Sequence, residues 1–147
     1  MEGEVPDDDD FIIPLGKANV LRKGSDISII AHGKAVHTSL ETATILQEKH
    51  NINAEVVDLR SIRPLDVDSI ISSVKKTNRV LLVEENKPFC GVDSQIAFLI
   101  QDQAFDYLDA PIKRVSAIDA PQAYSKSLEN AQIPDAKRVF KAALEIL

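Results

Sequence analysis

Four short apolar runs punctuate the chain: ISIIAH (27–32), AEVVDL (54–59), RVLLVE (79–84) and IKRVSA (112–117). Each is rich in Val and Ile and bounded by polar or turn residues, which is how strands buried on both faces read. The segments between them follow a helical period instead. Val36, Leu40, Ala43 and Leu46 mark one apolar stripe, and Val67, Ile70, Ile71 and Val74 a second. Val92, Ile96, Leu99 and Ile100 mark a third, and Val139, Ala142, Ala143 and Ile146 close the chain with a fourth. Strand alternating with helix predicts a parallel sheet covered on both faces. A fifth apolar run, KANVLR (17–22), is separated from ISIIAH by KGSD alone. That link is too short for a parallel crossover, so the two are expected to be antiparallel if they pair. The pattern therefore predicts an α/β fold with a five-stranded mixed sheet, mostly parallel, its first strand antiparallel at an edge.

Composition adds boundaries and a charge asymmetry. The 147 residues suit one domain with a sizeable core, and 44% apolar with 27% charged residues suits a soluble globular chain. No apolar run approaches the roughly 20 residues that span a bilayer, and the start lacks the basic-then-apolar order of a signal peptide. MEGEVPDDDD holds six acids and no base, which leaves 17 acids against 17 bases in the rest of the chain. The formal charge of −6 therefore resides in residues 1–10, expected to form an acidic, flexible linker ahead of a folded domain over 11–147. With no basic excess elsewhere, nucleic-acid binding has no electrostatic footprint. Cys90 is the single cysteine, so no internal disulfide forms.

The stretch VVDLRSIRPLD (56–66) ends a strand in two arginines, a proline and an aspartate. Pro64 stops the strand and pre-sets a turn, and Asp66 is placed to cap a helix starting at Val67. Arg60 and Arg63 are not explained this way. They lie beyond the carboxyl end of a strand, where open α/β sheets place their sites, so a binding or interface role stands beside local salt bridges or solvated ends. Other chemistry is sparse. No G-x-G-x-x-G or G-x-x-x-x-G-K-[ST] follows a strand, and only five glycines are present. His32, His37 and His50 lack metal-ligand spacing. Cys90 precedes a helix but has no base partner in view. Ser39, Ser61 and Ser94 lack a nucleophile-elbow context. No catalytic, cofactor-binding or metal constellation is complete. A free-standing small-molecule module, using strand tips near His32, Arg60 and Glu84, remains an alternative.

Three phrases follow one another at set intervals: IPLGKANVLRKGSDISIIAHGKAVHTSLETA, AEVVDLRSIRPLDVDSIISSVKKTNRVLLVEE and LDAPIKRVSAIDAPQAYSKSLE. Together they resemble the C-terminal domain of pyruvate dehydrogenase beta subunits, a transketolase C-terminal-like domain, from about Phe11 to Leu147. Similar domains occur in branched-chain 2-oxo acid dehydrogenase beta subunits, transketolase and deoxyxylulose-phosphate synthase. The resemblance implies a three-layer α/β/α sandwich with its first strand antiparallel. It places the acidic segment where the family has an interdomain linker, and so implies a fragment that is inactive alone. The parent reaction it implies is oxidative decarboxylation of pyruvate with acetyl transfer to lipoamide, dependent on thiamin diphosphate and magnesium. In the family, other regions hold that cofactor: an N-terminal domain supplies the activating glutamate, and the alpha subunit a G-D-G…N motif. No GDG occurs here.

The same resemblance implies partners: the alpha subunit, a second beta subunit, and the basic subunit-binding domain of the dihydrolipoyl acyltransferase. An acid in the LDAP loop and the terminal carboxylate help dock the last of these in the family. Carried over, they are Asp109 and Leu147, with a turn-initiating role for Asp109 as the plainer alternative. Arg60 and Arg63 then orient loops at a subunit interface. Nucleic acid and membrane are not expected partners. The compartment implied is the mitochondrial matrix for a eukaryotic chain and the cytoplasm for a bacterial one. The last stretch, PDAKRVFKAALEIL, predicts a helix with Pro134 in its first turn, delivering the Leu147 carboxylate to the surface.

Overall fold

The computed structural model describes residues 6–7 and 11–147; the rest of the acidic segment, where a flexible linker is expected, lies outside the described residues. The elements run β1 (Asn19–Arg22), β2 (Ile27–Ala31), α1 (Ala35–His50), β3 (Ala54–Asp58), α2 (Val67–Thr77), β4 (Val80–Val83), α3 (Val92–Ala104), a 3-10 turn (Phe105–Tyr107), β5 (Lys113–Val115), α4 (Lys126–Gln132) and α5 (Ala136–Leu144). The five strands lie in the order β1-β3-β2-β4-β5. Only β1 runs antiparallel to its neighbour.

Strand alternation divides the core in two. Ile27, Ile29, Val56, Leu81 and Val83 face one side, where they meet Val36, Ala43 and Leu46 of α1 and Val139 and Ala143 of α5. Ile30, Val57, Val80 and Leu82 face the other, under Ile70 and Val74 of α2 and Ile96 and Ile100 of α3. A sheet whose central strands are apolar on both faces needs a helical layer on each, and the three-layer sandwich follows.

One expected pairing differs. β1 pairs with β3, Asn19 opposite Asp58 and Val20 opposite Val57, and not with β2. Both sides of β2 are taken by the parallel strands β3 and β4, so the KGSD link hops over the amino end of β3. There the N–H groups of Ser25 and Asp26 donate to Asn53 O, and the Asp26 carboxylate accepts from Asn53 N at 2.7 Å. Two details at the far end also differ. Asp135 is the N-cap of α5, its carboxylate accepting from Arg138 N, so Pro134 sits before the cap and not inside the first turn. The helix α4 has no buried residue, and without an apolar stripe the helical period does not mark it.

Asp66 does cap α2. Its carboxylate accepts from Ser69 N at 3.2 Å and Ser69 Oγ at 2.8 Å, and it reaches back to Ala18 N at 3.0 Å, ahead of β1. Burial raises its pKa, but those hydrogen bonds and the nearby Lys17 outweigh it, and the net shift is downward. A lowered acid contributes stability above its unfolded pKa and loses it as pH falls through the folded value. Asp66→Ala is therefore expected to cost about 1–2 kcal/mol at neutral pH. Denaturant melts at pH 7 and at pH 3 check this; the gap between variant and parent should narrow at the lower pH.

Candidate functional site at the two ends of the sheet

β2 and β4 are neighbours, yet the helices that follow them, α1 and α3, pack on opposite faces. This is the topological switch point of the sheet, the place where open α/β folds put their ligand crevice. Ala31 pairs with Val83, so His32 and Glu84 leave the sheet side by side. Glu84 is fully buried and Asp93, in the first turn of α3, is 1% exposed. Glu84 Oε2 accepts from Asp93 N at 3.4 Å and from Asn86 Nδ2 at 3.2 Å. The N-cap of α3 is Gly91, which has no side chain to cap with, and Glu84 does the capping from β4. A Cβ on Gly91 would lie 2.0 Å from Glu84 Oε1, so the glycine makes room for the carboxylate. Burial, then the charge of Glu84, pushes the Asp93 pKa up to about 8, against the opposing pull of Arg114. His32 Nδ1, Glu84 Oε1 and Asp93 Oδ2 are buried without a hydrogen-bond partner among the described residues.

The other residues singled out at this end are dispersed. Arg60 has φ +55, and its N–H donates to Asp58 Oδ1 at 2.9 Å. Arg60 and Arg63 are exposed, and neither joins a salt bridge among the described residues, so local ion pairing does not account for them. His37 and His50 are exposed, the His50 ring resting at a tilt against Phe140. Ser39 Oγ donates to Ala35 O, Ser61 Oγ to Pro64 O, and Ser94 Oγ accepts from Arg114, so all three hydroxyls serve local structure. Cys90 is exposed at φ +58.

Asp109 and Leu147 lie at the opposite end. Asp109 precedes β5, and its N–H donates to Asn78 O at 2.9 Å, just before β4 begins. Its side chain is 60% exposed and 4.0 Å from Arg79. The helix α5 runs back beside the sheet to the same end, where Lys113 Nζ meets Glu145 Oε2 at 2.5 Å. That pair holds Glu145 below the usual carboxylate range. It ties the start of β5, four residues past Asp109, to a segment two residues before Leu147. Leu147 is 39% exposed.

Among the described residues no group of three or more His, Cys, Asp or Glu side chains is placed to hold a metal ion. No helix among them is long and apolar enough to cross a membrane.

Known proteins are similar to this chain in sequence and in fold. The family of transketolase C-terminal domains matches residues 16–139. The beta subunit of acetoin:2,6-dichlorophenolindophenol oxidoreductase from Bacillus subtilis (strain 168) is 46% identical over 147 residues, 100% of this chain and 42% of that protein. The mitochondrial pyruvate dehydrogenase E1 component subunit beta of Saccharomyces cerevisiae is 48% identical over 139 residues, 94% of this chain and 38% of that protein. Among solved structures, a split-gene transketolase described as an inactive beta4 tetramer superposes with a TM-score of 0.76 at 28% identity, covering 97% of this chain and 46% of that one. The chain spans about two fifths of the length of the curated relatives it matches. The matching region starts ahead of β1 and reaches into α5, so it takes in the whole sheet and both helical layers. The chain belongs to the transketolase C-terminal domain family, among domains similar to those of pyruvate dehydrogenase E1 beta subunits.

Proposed function

We propose that this chain is a non-catalytic assembly domain of a thiamin-diphosphate-dependent 2-oxo acid dehydrogenase. It packs a heterotetramer of two alpha and two beta subunits and docks the basic subunit-binding domain of the dihydrolipoyl acyltransferase. The parent reaction is oxidative decarboxylation of pyruvate with acetyl transfer to lipoamide. The observation that carries the docking role is the shared position of Asp109 and Leu147 at one end of the sheet, joined through Lys113 and Glu145. Exposed acid on that edge complements a basic partner and speeds encounter with it. At the other end, Arg60, Arg63 and the exposed Ile62 between them supply an unpaired surface for a subunit interface. The 46% identity to the acetoin relative supports a second reading of the substrate. A branched-chain 2-oxo acid is a third. The yeast relative is named mitochondrial; we assign this chain to the matrix if eukaryotic and to the cytoplasm if bacterial.

Thiamin diphosphate and magnesium, on this reading, bind elsewhere in the parent enzyme. Isothermal calorimetry of the 147-residue chain with both should give no binding heat. Micromolar affinity would overturn the non-catalytic assignment.

A further inference from the structure

We propose that Glu84 and Asp93 share one proton, Asp93 Oδ2 donating to Glu84 Oε1, and that this proton holds the first turn of α3 against the end of β4. The geometry assigns the roles. Glu84 Oε2 collects two N–H donors, one from the helix start and one from Asn86, and an ionised carboxylate is favoured at a helix N-terminus. Asp93 Oδ2 has no donor, and neither has Glu84 Oε1, although both atoms are buried. Glu84 Oε2 lies 3.4 Å from Asp93 N, and two neighbouring buried acids do not both ionise, because each charge loses its water and repels the other. A proton between them satisfies both unpartnered oxygens at once. Gly91 leaves the room this needs.

The surroundings favour one negative charge over two. Arg114 approaches from β5, but its guanidinium is engaged by Ser94 Oγ. Lys87, in the loop before α3, turns its Nζ to Ile118 O at 3.1 Å. From β2, His32 ends the neighbouring strand with its Nδ1 unpartnered. Only Arg114 acts on Asp93 as an opposing charge. Asp93 takes up its proton near pH 8 in the folded chain against 3.8 ordinarily. Between those values the folded chain holds a proton that the unfolded chain has released. Stability from this site is therefore greatest below the window, falls as pH rises through it by up to tenfold in the folding equilibrium per pH unit, and levels above it.

The test uses the full chain. Carbon-13 carboxyl NMR should show Asp93 titrating near pH 8, with a matching perturbation at Glu84 and at the amides of Asp93 and Ser94. An Asp93 midpoint below 5 would overturn the proposal. Asp93→Asn keeps the shape without the proton exchange, so its stability should gain on the parent steadily from pH 5 to 8. A constant difference across that range would equally contradict a shared proton. If the variant does not fold, the carboxyl titration of the parent chain decides alone.

Discussion

Replacing Gly24 with alanine is expected to destabilise the domain by more than about 3 kcal/mol. Gly24 lies in the link that crosses the amino end of β3. A Cβ there would sit 2.3 Å from Ala54 C, 2.3 Å from Glu55 N and 2.4 Å from Asn53 O. All three are backbone atoms at the start of a central, fully paired strand, so no rotamer change relieves the clash. Either the link lifts, and β1 loses its register on β3, or β3 shifts and disturbs both core layers. Gly33 provides the contrast. It has φ +60, but a Cβ there meets nothing within 4 Å, so alanine costs only the left-handed backbone strain, about 1–2 kcal/mol. Urea melts of both variants, read at constant m, separate the two cases. A loss at Gly24 no larger than at Gly33 would mean that the crossing is looser than described.

That crossing is also where reading from sequence stops. The stripes from Val36, Val67 and Val139 locate α1, α2 and α5 because a helix buried on one face must repeat its apolar residues locally. Asp66 is legible for the same reason: a cap and its helix are neighbours in sequence. The partner of β1 is not local. It depends on β2 having both edges occupied, and KGSD does not say so. The buried acids are hidden differently. At the end of RVLLVE, Glu84 is legible only as a strand tip near which a small molecule would bind, and no role for Asp93 is legible in the sequence. The one clue is Gly91, a helix N-cap without a capping side chain, which implies a cap supplied from elsewhere. Asp109 and Leu147 rest on the resemblance alone. Nothing in their local sequence sets them at one end of the sheet; the packing of α5 along the sheet does, and Lys113 and Glu145 pair at that end.

The second large effect concerns docking. Two residues added after Leu147 move the terminal carboxylate away from the edge it shares with Asp109. If that carboxylate pairs with a cation in a desolvated contact, losing the pair costs about 2–5 kcal/mol, at least tenfold in affinity. Asp109→Asn should do less. Its carboxylate is largely exposed and already faces Arg79 at 4.0 Å, and rim charges act mainly on association rate and salt dependence. Neither change touches the core: Asp109 is exposed, and the added residues follow the last turn of α5 and its buried Ile146. Thermal melts of both variants should match the parent within about 1 kcal/mol.

The most direct measurement is the affinity of the acyltransferase's subunit-binding domain for the full heterotetramer, at two salt concentrations, with the parent chain and with each variant. Binding to the parent should weaken with salt, the extended chain should bind at least tenfold more weakly at the lower salt, and Asp109→Asn should bind more slowly with a shallower salt dependence. Unchanged affinity in both variants would contradict the docking role and leave Asp109 as a turn residue.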